Sequence, residues 1–156
     1  VQKQKLRNPV KFIQRATTLL AATTLAAGAT LVAGASPASA ASITFSTSSG
    51  DGWGQIVVLR DGKHAGYMYW NADPIPELGW PGDAFNVTDG LDDGYGIEGH
   101  LDSGTVHRIA TTRGHSSPYE SPWTTGNIPE GESVLLSVCY VKGTSSTCSK
   151  TLVGHA

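Results

Sequence analysis

The 156-residue chain carries 11 Lys and Arg against 13 Asp and Glu, but the bases Lys3, Lys5, Arg7, Lys11 and Arg15 all precede Ala16, and every acid lies beyond Ala40. From Ala41 onward six basic residues stand against thirteen acidic ones, a formal charge of −7, and without a basic stripe this argues against nucleic acid as a partner. That stretch is long enough for one hydrophobic core and too short for two; rich in Gly, Ser and Thr and lacking helical periodicity or an internal repeat, it predicts an all-β domain with many turns.

In chain order, "VQKQKLRNPVKFIQR" reads as a basic leader, and "ATTLLAATTLAAGATLVAGASPASA" as an apolar run of small residues ending in an A-x-A pattern. Together they predict a secretory signal peptide over residues 1–40, cleaved after Ala40, and a single domain over 41–156. No later stretch is apolar enough to span a membrane, and no cysteine opens the predicted mature chain to take a lipid. The expected product is therefore released outside the cell without a membrane anchor.

"ITFSTS" (43–48) alternates and predicts a first strand. "WGQIVVLRDGKHAGYMYWN" predicts a hairpin around a type I′ turn at Asp61-Gly62,. Counting outward from that turn pairs Ile56 with Tyr67, Val58 with Ala65 and Trp53 with Trp70. Both faces are apolar, so the hairpin is expected to be central, with Trp53, Tyr67, Met68, Tyr69 and Trp70 in the core or covering the sheet. "NADPIPELGWPGD" (71–83) reads as an irregular crossing whose Trp80 plugs one end of the core, and "AFNVT" as a short strand. "GYGIEGHLDSGTVHRIATT" predicts a second hairpin. A three-residue loop at Asp102-Ser103-Gly104 places Ile97 opposite Ile109 and Glu98 opposite Arg108, apolar facing apolar and acid facing base.

Near the C-terminus, Cys139 and Cys148 flank a two-residue turn at Gly143-Thr144 that sets them directly opposite each other, predicting a disulfide-pinned hairpin,. The same register pairs Leu135 with Leu152 and Val134 with Val153. In "TTGNIPEGESVLLSVCYVKG", Ile128, Pro129 and Gly131 precede an alternating strand and a final hairpin, and this resembles the corner and penultimate strand of fibronectin type III and related immunoglobulin-like sandwiches. The corner tyrosine of that family has no counterpart, since Val134 stands near its place. The expected fold is a small antiparallel β-sandwich, immunoglobulin- or fibronectin III-like. About seven short strands with regular turns argue for it independently. The stretch "SPYESPWTTGNIPEGESVLLSVCYVKG" with its later "CS" also resembles small secreted proteins of streptomycete-type actinobacteria, which implies an extracellular product and leaves its activity open.

The residues suited to chemistry form no catalytic pattern. His64, His100, His107, His115 and His155 lack the spacing of a zinc site, and His100 and His107 point to opposite faces in the preferred register. "DGLDDGYGIE" gathers Asp89, Asp92, Asp93 and Glu98, but Leu91 and His100 stand where an EF-hand loop needs oxygen ligands,. No G-x-S-x-G occurs, and no Ser, His and Asp spacing singles out a triad. Asn86-Val87-Thr88 is a glycosylation sequon, to which no role is assigned. No metal and no cofactor is expected. What stands out is "TTRGHSSPYESPW" (111–123), within a long run without a confident strand,. Its Arg113, His115, Tyr119 and Trp123 are either a binding cluster, of the composition of an interface anchor or a sugar-stacking platform, or a cap on the sandwich. The expected function is a secreted, non-enzymatic binding module for an extracellular protein partner. The alternatives are a carbohydrate or cell-wall binding module, an inhibitor of a secreted hydrolase, or a small adaptor of a secreted toxin assembly such as the umbrella-like particles of streptomycetes.

Overall fold

The computed structural model of the protein describes residues 40–104 and 106–156. The leader and apolar run assigned to export lie outside the described residues. Among the described residues ten strands form two antiparallel sheets. One holds β1 (Ile43–Gly50), β2 (Trp53–Arg60), β3 (Lys63–Asn71), β4 (Ala84–Asp89) and β7 (Tyr119–Glu120), neighbours in that order. The other has the order β10 (Leu152–His155), β8 (Ser133–Lys142), β5 (Gly96–Ser103), β6 (Val106–Thr111), with β9 (Ser145–Cys148) also paired to β8. Among the described residues the only helix is a single 3-10 turn at Pro76–Leu78, and no helix is long and apolar enough to cross a membrane.

The sheets pack face to face because alternate residues of each are apolar. Ile56, Val58, Met68, Trp70, Phe85 and Val87 of the first sheet are buried against Ile97, Leu101, Val134, Leu136 and Val138 of the second. Ile128, in the segment that leads into β8, is also buried, and its N–H is taken by Asp83 at 2.9 Å. The sandwich class and the pinned hairpin stand as expected: Cys139 and Cys148 are directly paired and bonded, with Cα atoms 4.0 Å apart.

Three registers differ from the sequence expectation, each for an identifiable reason. The Asp61-Gly62 turn forms as predicted, with φ of 50° and 75°, and pairs Arg60 with Lys63. A β-bulge between Val58 and Leu59 then shifts the ladder, so that Val58 faces Gly66, Ile56 faces Met68 and Gly54 faces Trp70,. The surplus residue, Ala65, gives its carbonyl to Gly90 N–H, a bond that exists only because β4 arrives alongside. Because side-chain direction alternates every residue, the one-residue slip decides which aromatics are core. Met68 and Trp70 go inside. Trp53, Tyr67 and Tyr69 go to the outer face, half-buried.

In the second hairpin Ser103 pairs with Val106, which sets His100 opposite Ile109 and Asp102 opposite His107, in place of the expected Ile97–Ile109 and Glu98–Arg108 pairs. Glu98 finds Arg113 instead, while Arg108 donates to the Asp83 carbonyl. Past the disulfide, Ser149 turns its N–H and its hydroxyl onto Val138 and interrupts the strand. Leu152 consequently pairs with Leu136, and Val153 with Leu135. The strand count exceeds the expected seven partly because of this break.

Candidate functional site

Residues 111–123 are not an unstructured run. Tyr119 and Glu120 pair with Asp89 and Thr88. Farther on, Ser121 N–H donates to the Val87 carbonyl, and Thr124 and Phe85 exchange backbone hydrogen bonds of 2.8 and 3.1 Å. The segment is therefore an irregular fifth strand along β4. Its prolines, Pro118 and Pro122, keep it from a continuous ladder. This geometry divides the four residues singled out from the sequence. Arg113 pairs with Glu98 at 2.9 Å and donates to the Gly143 carbonyl at 2.8 Å. His115 stacks flat on Tyr119, ring centroids 3.8 Å apart. Arg113 and His115 border a cavity of about 260 Å³ between the β4–β5 loop and the β8–β9 turn, beside Tyr95 and Lys142. Trp123 belongs to a different surface.

That surface is the outer face of β2, β3 and β4. The pairing places Gln55, Tyr69 and Asn86 on one rung, and Val57, Tyr67, Thr88 and Glu120 on the next. Two loops add indoles. Asn71 donates its amide to the Asp73 and Pro81 carbonyls, and Ile75 and Trp80 bridge, so the 72–83 crossing delivers Trp80. The Thr124–Phe85 bridge delivers Trp123. Tyr69 then meets Trp80 edge-on at 5.2 Å and Trp123 edge-on at 6.4 Å, while Trp80 and Trp123 are 5.5 Å apart. Trp53 lies parallel to Tyr69 at 6.2 Å and continues the row.

Beside these rings is a cavity of about 210 Å³, walled by Tyr67, Tyr69, Trp80 and Trp123. Its polar lining is Gln55, Asn86 and Glu120. Asn86 is buried, its Nδ2 donating to Glu120 Oε1, while its Oδ1 has no partner among the described residues; the same is true of the buried Thr88 Oγ1. A buried acceptor without a donor is costly, about 1–3 kcal/mol. Burial pushes the Tyr69 phenol above its ordinary value, so it stays neutral well past physiological pH. The sequon asparagine is thus part of the lining of this cavity.

Trp80 does not plug the core as expected; it stands outside the sheet, because the crossing loop folds back over β3 and β4. The other residues that sequence reasoning missed here are Gln55, Tyr67, Tyr69, Asn86 and Glu120. Alternation of Tyr67 with Tyr69 and of Asn86 with Thr88 was the available cue, but it specifies a face only once the bulge is known.

The histidines and acids are engaged elsewhere. His100 and His107 share a face, rings 6.1 Å apart, correcting the expectation of opposite faces; His100 meets Glu98 at 3.2 Å and His107 meets Asp102 at 2.6 Å. Among the described residues no three His, Cys, Asp or Glu side chains gather as metal ligands. In the acidic loop Asp89 caps Leu91 N–H, and Asp93 takes Arg60 at 2.6 Å and the Tyr140 hydroxyl. Burial alone would raise the Asp93 carboxyl, but hydrogen bonds from Tyr140, Arg60 and Tyr95 N–H outweigh it and hold the carboxyl below its ordinary value. Such a group adds stability that is fully present above the unfolded value, about 3.9, and is lost as pH falls through the lower folded value. Asp93→Asn should therefore flatten the acid limb of stability against pH below about pH 4, as read from urea midpoints. An unchanged acid limb would mean that Asp93 does not hold the Arg60–Tyr140 network.

No protein family, curated protein or solved structure matches the chain.

Proposed function

We propose that the protein is a secreted, non-enzymatic binding module that docks an extracellular protein partner on the outer aromatic face of its five-stranded sheet. The observation that carries this reading is the contact group of Tyr69, Trp80 and Trp123, three half-buried rings from separate segments, gathered outside the sheet where they contribute nothing to the core. Clusters of Trp and Tyr that hold part of their surface in water supply the large, rigid contacts from which interface anchors are made. Export is supported by the leader sequence and by a disulfide, a bond that persists in oxidising compartments,. Inhibition of a secreted hydrolase and service as an adaptor in a toxin particle are both versions of protein docking, and the identity of the partner separates them. A carbohydrate or cell-wall module is the second reading. It is favoured by the amide and carboxylate groups of Gln55, Asn86 and Glu120 lying beside the rings.

The test is a pull-down from the protein's own culture supernatant, with mass spectrometry and parallel polysaccharide retention. Trp123→Ala should weaken capture of a discrete polypeptide by about 1 kcal/mol or more, yet change folding stability by less than about 1 kcal/mol. Arg113→Ala, which breaks a surface pair away from the rings, should leave capture unchanged. Retention on polysaccharide without a captured polypeptide would favour the second reading. Capture that is indifferent to Trp123 would overturn the placement of the site.

A further inference from the structure

We infer that the cavity beside Tyr67 receives a basic side chain of the docked partner, an arginine in the first instance; the inference rests on the protein-docking reading above. Its polar atoms define what is missing. A carboxylate can only accept, so Glu120 obliges Asn86 to turn its amide nitrogen toward it,. Asn86 Oδ1 is itself buried and has no donor among the described residues, so the exposed Glu120 is the acceptor within a ligand's reach. The second oxygen of Glu120 is also an acceptor, and among the described residues Glu120 takes part in no ion pair. Among the described residues no lysine or arginine lines the cavity. The site therefore carries a carboxylate charge with no counterion among its lining residues.

The walls favour the same occupant. A cation is attracted to the faces of tryptophan and tyrosine rings, and a guanidinium is better suited than an ammonium because it is planar, stacks on rings and donates along two directions at once. With Tyr69, Trp80 and Trp123 already in mutual contact, the cavity of about 210 Å³ is the opening beside them, and it suits one side-chain head. Thirteen acids against six bases beyond Ala40 steer a basic surface toward the protein before contact,. A neutral sugar would satisfy the acceptors with hydroxyls but would leave the carboxylate charge unanswered.

The experiment uses the purified secreted protein and follows its tryptophan fluorescence during titration with a tetra-arginine peptide amide and, separately, with a chitin tetrasaccharide. The peptide should give a saturable change that Glu120→Gln weakens by about tenfold. That variant keeps the bond to Asn86 and removes only the charge, and a parallel melt establishes that it folds. Glu130→Gln, at an exposed acid outside the cavity, should leave the titration unchanged. Equal weakening by both variants would reduce the binding to diffuse charge attraction and overturn the inference, as would the absence of saturation. Tetrasaccharide binding that survives Glu120→Gln would assign the cavity to sugar. If the natural partner is captured through Trp123 while Glu120→Gln captures it as well as wild type, the inference falls and protein docking stands. If capture ignores both, the docking reading itself falls.

Discussion

Trp70→Ala should destabilise the folded protein by about 3–5 kcal/mol, the usual cost of deleting a buried indole. Trp70 is only 1% exposed and lies opposite Gly54, whose missing side chain makes room for the ring. Against a total stability of about 5–15 kcal/mol for a domain, that loss leaves a substantial unfolded population at modest urea concentrations. Trp70→Phe should cost much less. The indole N–H is buried with no hydrogen-bond partner among the described residues, so phenylalanine keeps most of the packing while removing a donor that has lost its water,. Trp53→Ala is the informative control. In a hairpin without the bulge, Trp53 and Trp70 would stand on one rung and one face; in the observed register Trp53 stacks on Tyr69 outside the sheet. Unfolding free energies of the two alanine variants, from urea titrations, should differ by about 2 kcal/mol or more. Equal losses would mean that the bulge, and with it the outer aromatic face, is misplaced.

The same bulge marks where sequence reasoning stops. Turns were legible because they make local demands: Asp61-Gly62 needs positive φ, and the cysteines had to meet across Gly143-Thr144. Pairs next to those turns, Arg60 with Lys63 and Cys139 with Cys148, came out as counted. Each register then slipped by one at a position decided by a distant strand. Ala65 gives its carbonyl to Gly90, and Ser149 binds back to Val138. In the β5–β6 hairpin, pairing acid with base chose the wrong rung, because Glu98 had a better partner in Arg113, outside the hairpin. The result leaves Ile109 48% exposed, which no rule of apolar pairing would choose.

For the candidate site, composition pointed to Trp123 but not to its neighbours. An exposed aromatic face is a statement about which residues alternate outward on three strands at once, and one slipped register hides it. The segment 119–124 escaped notice as a strand because only its Tyr119 and Glu120 form a regular ladder. Ser121 and Thr124 complete the edge through isolated bonds to β4.

Gly66→Ala should be the most damaging of the small substitutions in the first sheet, with an expected loss of about 3 kcal/mol. A Cβ at Gly66 would lie 2.2 Å from the Thr88 backbone oxygen and 2.6 Å from Ile97 Cγ1. The first obstacle is backbone, which cannot swing aside as a side chain can, so β3 and β4 must separate or β5 must retreat. Either movement reaches the site, because Thr88 pairs with Glu120 and its neighbour Asn86 forms the cavity floor. The variant should therefore lose partner binding although residue 66 faces the core and touches no ligand. Gly90→Ala separates this steric effect from the general consequences of replacing glycine. Its Cβ would meet nothing closer than the Ala65 carbonyl at 3.8 Å, and its stability should stay within about 0.5 kcal/mol of wild type,. Denaturant midpoints for the two variants decide the matter. If Gly66→Ala is as mild as Gly90→Ala, then β4 does not press on β3 as closely as the ladder requires, and the rung that joins Tyr67 to Glu120 loses its support.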